Sequence, residues 1–310
     1  MQQDMSTPDP LTNLGIALGL GAAIIWGAWP VVTSIGVKSE ITPVQVVMLR
    51  FLVAGILLSP FAFRRSSTLR DWGKAAVFAL FAGTPYALLV TSAFEYAPAS
   101  HGGVIIPGTV MLVSLVAAHL WLGDKLTRLR GFGAAMILIG LGALAGGASG
   151  GPDILLGDLL LMAGGVSWAS YTFLLRRWPM DGLTVASRVA FLSLLLVGGL
   201  ALAGYGEGLT AVPLKTLALQ GLWQGILSAI VALLMFNRAV GILGSGRASI
   251  INALTPVIAV LLSFLILNEV PTSLEFAGLV TIMAGIAIAI GIRIKPMRRK
   301  RTDAHVPETP

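Results

Sequence analysis

The sequence predicts an all-α polytopic membrane protein of ten transmembrane helices, arranged as two inverted five-helix repeats. Three observations predict it. Of the 310 residues, 56% are hydrophobic and only 11% charged, against about 25% charged in a soluble domain. The apolar residues gather in ten long stretches with almost no charge. The second half of the chain then repeats the first at a nearly constant offset.

The stretches are residues 14–35, 44–63, 73–94, 102–122, 130–147, 155–175, 184–204, 216–238, 247–267 and 275–293. Each is long enough to cross a bilayer, which takes about 20 residues as a helix. Their length and lack of charge select helix over strand. The first is not expected to be a cleaved signal peptide, because Asp4 and Asp9 precede it where lysines would stand. This composition excludes an ordinary soluble enzyme and intrinsic disorder. The absence of cysteine excludes thiol catalysis, iron–sulfur clusters, cysteine zinc sites and disulfides.

The net charge of +7 is a matter of orientation. An even number of spans puts both termini on one side. That side holds Arg64, Arg65, Arg70, Lys74, Lys125, Arg128, Arg130, Arg176, Arg177 and the tail from Arg293 to Arg301, while the opposite loops hold only Lys38 and Lys215. The positive-inside rule makes the basic side, with both termini, cytoplasmic in a bacterial inner membrane. These cations sit between apolar stretches and not on a soluble face interleaved with aromatics, so no nucleic-acid partner is expected. The cluster Arg298–Arg301 has two readings: a contact with anionic lipid headgroups, or a solvated flank to the last span.

The repeat is visible residue by residue. At an offset of 145, Ala87–Leu89 meets Ala232–Leu234, Ser100 meets Ser245, and Ile105–Ile106 meets Ile250–Ile251. Asp124 meets Glu269, Thr127 meets Thr272, Gly133 meets Gly278, and Gly140 meets Gly285. An earlier stretch aligns at an offset of 142, where Trp26 meets Trp168 and Trp29 meets Tyr171. Each unit holds five spans. An odd number inverts the second unit relative to the first, a transporter signature that places the substrate site near the midplane between halves. The expected division is a segment 1–13, repeats 14–148 and 149–293, and a basic tail 294–310.

The stretches LWLGDKLTRLRGFGAAMILIGLGAL (120–144) and TPVIAVLLSFLILNEVPTSLEFAGLVTIMAGIAI (255–288) resemble the ends of two EamA repeats, a family of the drug/metabolite transporter superfamily. The second half carries that family's proline-bearing helix, acidic residue and Gly-rich last helix as Pro256, Glu269, Gly278 and Gly285. The first half departs from it: Met111 stands at the proline position, Pro107 one turn earlier, and Asp124 replaces Glu. Within the superfamily the overall pattern resembles YddG-type amino-acid exporters. The resemblance implies ten helices, cytoplasmic termini and a central cavity lined mainly by helices 1, 3, 4, 6, 8 and 9.

Catalysis finds no constellation. The run Gly147-Ala148-Ser149-Gly150 matches a GxSG pattern, but the only later histidine is His305 in the tail, and a serine nucleophile needs a base within reach. His119 reads as an interfacial hydrogen bonder and His101 as a cap or gate at the start of helix 4. No cofactor and no metal ligand set is expected. No carboxylate is expected at mid-depth, which counts against a first-helix proton/cation exchanger. Asp124 and Glu269, at helix ends, read as structural partners of loop amides or of the next helix's first turn. Arg50 and Arg188 lie just inside helices 2 and 7. They are expected to snorkel to the interface or to pair with a helix-end carbonyl rather than bind substrate.

Aromatics and kinks mark the candidate site. Trp72, Trp121 and Trp178 fit an interfacial belt, whereas Trp26, Tyr86 and Trp168 lie deeper. Pro30, Pro85, Pro107 and Pro256 interrupt helices and free carbonyls, and Asn237 and Asn252 add amides. The expected substrate-binding set is Trp26, Pro30, Tyr86, Pro107, Trp168, Tyr171, Asn237 and Asn252. Such groups suit a neutral or zwitterionic small molecule. The face Gly15, Gly19, Ala23 and Gly27 reads as internal packing before dimerisation, so the chain is a monomer or a homodimer. The functional reading is an exporter of small metabolites, foremost amino acids including aromatic ones. A multidrug or sugar-type permease is the same-class alternative, and a membrane-embedded enzyme the disfavoured one.

Overall fold

The computed structural model describes residues 10–39, 41–64, 68–122, 127–147, 151–178 and 180–290. Among them are ten helices long and apolar enough to cross a membrane. They are α1 (Pro10–Val37), α2 (Pro43–Ala62), α3 (Leu69–Ala93), α4 (Ala99–Leu122) and α5 (Arg128–Gly147). The second half supplies α6 (Pro152–Arg177), α7 (Gly182–Tyr205), α8 (Leu214–Leu243), α9 (Ser245–Asn252 and Thr255–Leu267) and α10 (Ser273–Ile290).

Short polar residues start several of these helices. Thr42 with Gln45, and Thr68 with Asp71, form reciprocal capping boxes, and Asp181 accepts from the Thr184 amide. Each satisfies amide donors that a helix start leaves open. Between the caps the sequence is apolar on all sides. Leu52, Ile56, Leu138, Ile139 and Leu195 are exposed, as expected where the surrounding solvent is lipid.

The chain alternates between two faces. The starts of α1, α3, α5, α7 and α9 share one, here the basic face, with Arg64, Arg70, Lys74, Arg128, Arg130, Arg176 and Arg177. The other, the acidic face, carries Glu95, Asp153, Glu207, Glu269 and Glu275.

Two glycine pairs show that the repeats are inverted. A β-carbon on Gly133 would sit 2.6 Å from the Gly285 carbonyl oxygen, and one on Gly285 2.7 Å from that of Gly133. Gly140 and Gly278 face each other likewise, at 2.7 and 2.9 Å. Residue numbers rise along α5 while they fall along α10, so the helices are antiparallel. Under the 145-residue offset Gly133 becomes Gly278 and Gly285 becomes Gly140. The contact therefore maps onto itself, which requires a two-fold axis perpendicular to the helices, in the membrane plane. The helix pair α2/α7 is related in the same way: Gly55 meets Leu194 and Ala190, and further along Arg188 meets Ala62.

Helix irregularities fall at corresponding places in the two repeats but differ in kind. The break of α3 falls at Gly83 (φ −94°, ψ −144°), where a β-carbon would meet Ser193 and the Ala79 carbonyl. Its counterpart 145 positions on, Ser228, lies in a π-helical stretch of α8, Gly221–Val231. Pro107 in α4 corresponds to Asn252, where α9 breaks before Thr255. Of the four prolines expected to interrupt helices, Pro30 and Pro107 do lie inside continuous helices. Pro85 and Pro256 instead start a new helical piece after a break, where a missing N–H costs nothing.

The expected small-residue face of α1 packs internally. Gly15 lies against Ile242 and Leu243, Gly19 against Ile251, and Gly27 against Ile258. The helix thereby lies on α8 and α9 at close range.

Candidate functional site

A polar cluster joins α1, α2 and α8 in the acidic-face half of the bundle. Trp29 Nε1 donates to Gln224 Oε1 at 2.7 Å, and Arg50 Nη1 donates to the same oxygen at 3.3 Å. Gln224 Nε2 donates to Thr33 Oγ1 at 2.9 Å and to Gln220 Oε1 at 3.3 Å. Gln220 Nε2 donates to the Val32 carbonyl at 2.7 Å. Thr33 Oγ1 donates to the Trp29 carbonyl at 2.7 Å. The Gln224 oxygen thus has both acceptor positions filled and is held from two sides.

Arg50 is seven residues into α2, about 10 Å deep at the rise of a helix. Its guanidinium lies 5.9 Å from the Trp29 ring centroid and 5.8 Å from that of Phe51. Among the described residues no carboxylate lies within salt-bridge distance of it. Only one of its five N–H groups donates to a protein group there. A cation at this depth is costly unless anions or several acceptors surround it. The expectation that Arg50 snorkels is therefore corrected: Gln224 draws it inward. Arg188 does pair with a helix-end carbonyl, Ala62 O, at 3.3 Å.

An aromatic wall joins α3 to α6. It starts at Tyr86 on α3. The Tyr86 ring lies 5.2 Å from Trp168 on α6, and Trp168 lies 5.1 Å from Tyr171. Tyr171 continues edge-to-face onto Phe78 at 5.8 Å. Tyr86, Trp168 and Tyr171 are all half-buried. These three of the eight candidate residues are brought together.

The others are spread out. Trp26 donates its indole N–H to the Ser228 carbonyl at 3.2 Å and packs at a tilt against Phe236, ring centroids 5.5 Å apart. It thus binds a carbonyl of the irregular stretch of α8 and belongs to a separate ring group. At the matching place in α6 the donor is the Ser167 hydroxyl, to Phe81 O of broken α3, at 2.9 Å. Pro30 is buried and Pro107 half-buried. By helix geometry they release the carbonyls of Trp26 and Gly103. Asn252 Oδ1 accepts from Thr255 across the α9 break at 3.3 Å. Asn237 is exposed on the outside of α8 and joins none of these groups.

A carboxylate is present inside the span. Asp158, six residues into α6 and 4% exposed, meets His101 Nδ1 at 2.7 Å. It lies about 9 Å from the helix start at the rise of a helix, short of the mid-depth where no carboxylate is expected. Asp158 was hidden by the glycine and leucines around it. Glu269 behaves as a structural partner, but of α4 rather than α10. It accepts from the Ala99 and Ser100 amides at 3.0 and 3.1 Å, and Lys38 lies 3.6 Å from it. Asp124, Ser149 and the basic tail lie outside the described residues.

Sequence comparison agrees with this architecture. The profile of the EamA-like transporter family matches twice, over residues 13–145 and 155–291. The Escherichia coli K12 protein named uncharacterized inner membrane transporter YedA is 28% identical over 281 residues, covering 89% of this chain and 90% of that protein. An uncharacterized transporter of Archaeoglobus fulgidus is 26% identical over 89% of this chain and 96% of its own. YvbV of Bacillus subtilis, also named an uncharacterized transporter, is 27% identical over 90% and 92%. A protein of known crystal structure shares the fold, with a TM-score of 0.58 and 22% identity over 89% of this chain and 95% of its own. With two family matches on two inverted halves of one ten-helix bundle, the chain belongs to the EamA-like transporter family and is a multi-pass membrane transporter.

Proposed function

We propose that this transporter exports small metabolites, foremost amino acids including aromatic ones, across the inner membrane by alternating access. One observation supports the reading: an interior arginine has neutral partners and lies against the rings of Trp29 and Phe51. Arg50 offers a substrate carboxylate up to four N–H donors in a planar fork. Tyr86, Trp168 and Tyr171 offer an apolar side chain a surface on the other side of the same site. The carbonyls released at Pro30 and Pro107 suit an ammonium group. A cationic drug would meet Arg50 as a like charge, and a sugar would leave it unpaired.

The basic face is cytoplasmic in this proposal, by the excess of Arg and Lys on its short loops. The inner membrane is the location in the printed name of the E. coli relative. Rocking of one repeat against the other about the two-fold axis opens the site to each face in turn.

Counterflow in liposomes tests it. Purified protein should exchange labelled L-phenylalanine saturably and without a chemical product, and should ignore phenethylamine, which lacks the carboxylate. Exchange of phenethylamine or of a quaternary ammonium dye in preference to phenylalanine would replace the proposal with a multidrug carrier. Exchange of a hexose alone would replace it with a sugar permease.

A further inference from the structure

His101 and Asp158 are used by nothing described so far. Both lie in the membrane-spanning bundle, 1% and 4% exposed, and their contact of 2.7 Å joins α4 of the first repeat to α6 of the second. The second carboxylate oxygen, Oδ2, is buried and has no hydrogen-bond partner among the described residues. Burying an acceptor in this way is costly. Burying an unneutralised carboxylate is costlier still. Packing alone gives no reason to keep either group.

The pair also adjoins the closure of the acidic face. Glu269, from the loop before α10, holds the first turn of α4 through the Ala99 and Ser100 amides. The next residue is His101. The start of α4 is thus gripped twice by the second repeat, once by Glu269 and once by Asp158. Opening the acidic face by moving one repeat against the other must release both grips.

From this we infer that His101 and Asp158 form the proton-binding site that couples the carrier to a proton gradient. Charge explains why. With His101 neutral and Asp158 ionised, closing the acidic face buries a net charge of −1. With one proton added, the pair becomes imidazolium and carboxylate, and the buried net charge is zero. Proton uptake from the acidic-face water therefore favours closure. Loss of the proton to the opposite side must precede reopening with solute bound. One proton moves one way for each solute moved the other. The inference rests on the chain being a carrier and not on the identity of its solute.

Other charged groups near the pair are already engaged or lie at the surface. Lys38, at the end of α1, is engaged with Glu269, and Glu275, in the first turn of α10, accepts from the Thr272 amide. Glu95 and Tyr96, after α3, are exposed, as is Asp153 at the start of α6. Arg128 and Arg130 of α5, His119 of α4 and Arg247 of α9 lie at the basic end.

The test needs no known substrate. The chain has no cysteine, so spin labels at Tyr96→Cys and Val270→Cys report only the acidic-face gap between repeats. In liposomes the expected result is a single short distance at about pH 5.5 and a second, longer one at about pH 8.5. Asp158→Asn leaves no buried charge when His101 is neutral, so it should show the short distance at about pH 8.5, where the parent shows the longer one. His101→Gln should shift or abolish the transition. Identical distance distributions for the parent at both pH values would overturn the inference, as would the parent's transition surviving in both variants. If Asp158→Asn does not yield monodisperse protein, His101→Gln decides alone. Vesicles loaded with labelled phenylalanine separate this from the substrate proposal. A transition that depends on Asp158 without phenylalanine flux sinks the amino-acid reading alone. Phenylalanine flux without the transition sinks the proton site alone.

Discussion

Arg50 and Arg188 occupy corresponding places near the starts of α2 and α7, one in each half of the membrane, yet their surroundings differ. Arg188 is 2% exposed, donates to the last carbonyl of α2 and lies 5.2 Å over the Trp72 ring. A helix C-terminus carries partial negative charge, so Arg188 has a fixed negative partner and clamps α2 to α7. Among the described residues Arg50 has a neutral amide, two rings and four N–H groups that donate to none of them. The backbone obeys two-fold symmetry while the charges do not.

The sharpest way to break that comparison is to neutralise each arginine in turn. Arg50→Gln should lower counterflow of phenylalanine about 10- to 150-fold, the range given by losing about 1.5–3 kcal/mol for a hydrogen bond to a charged group. Its unfolding temperature in detergent should not fall, because the substitution removes a cation without a charged partner. Arg188→Gln should do the reverse, lowering thermal stability more than the flux of the protein that remains folded. Equal losses of stability in both variants would make Arg50 a second clamp.

The two-fold contact itself can be broken. Gly140→Val puts a branched side chain where the Gly278 carbonyl oxygen lies 2.7 Å from the β-carbon position. Overpacking of this kind costs about 1–3 kcal/mol, read as a lower unfolding temperature. Gly142→Val, two residues on in open space, is the control and should leave that temperature unchanged. Similar shifts in both would deny the α5/α10 contact its role at the axis.

How far the sequence alone leads is shown by these same residues. The spans, their inversion and the glycines at the axis were legible, because apolar length and offset identities are local or periodic signals. The partnership of Arg50 was not. Its partner Gln224 lies 174 positions away, and Trp29 reaches the same amide across 195. Only the packing of α1 and α2 on α8 brings them together. The prolines were half legible: their positions mark irregular backbone, but whether a proline kinks a helix or starts a new piece depends on what packs beside it. Trp26 and Trp168 match in sequence, yet one binds a carbonyl and the other joins Tyr86 and Tyr171.

That last difference gives a finer test. Trp168→Ala should cut transport of phenylalanine about tenfold while sparing alanine, since it removes a ring from the wall and burying a large side chain is worth about 1.5–3 kcal/mol. Trp26→Ala should change both substrates alike and act on stability, by about 1 kcal/mol for the lost hydrogen bond to Ser228 O. If Trp26 proves the selective one, the site lies toward α8 and the wall at Tyr86 is packing.

The smallest effect belongs to Asn237. It matches the composition of a solute site, an amide within an apolar span, and on that ground it joined the candidate set. The structure leaves it exposed on α8, with its neighbour Arg238 also exposed and Ala239 facing inward. An exposed amide near the basic end of a helix meets interfacial water and headgroups, where losing it is worth within about 0.5 kcal/mol, as for other surface substitutions. Asn237→Ala should therefore leave both the unfolding temperature and the counterflow of phenylalanine at the parent's values. Asn252→Ala removes the acceptor of Thr255 at the α9 break and should cost about 1 kcal/mol of stability. A loss of flux in Asn237→Ala larger than in Asn252→Ala would mean that the basic-face end of α8 turns toward the pathway during transport. The assignment of the site to the Arg50 half of the bundle would then need to extend to the other face.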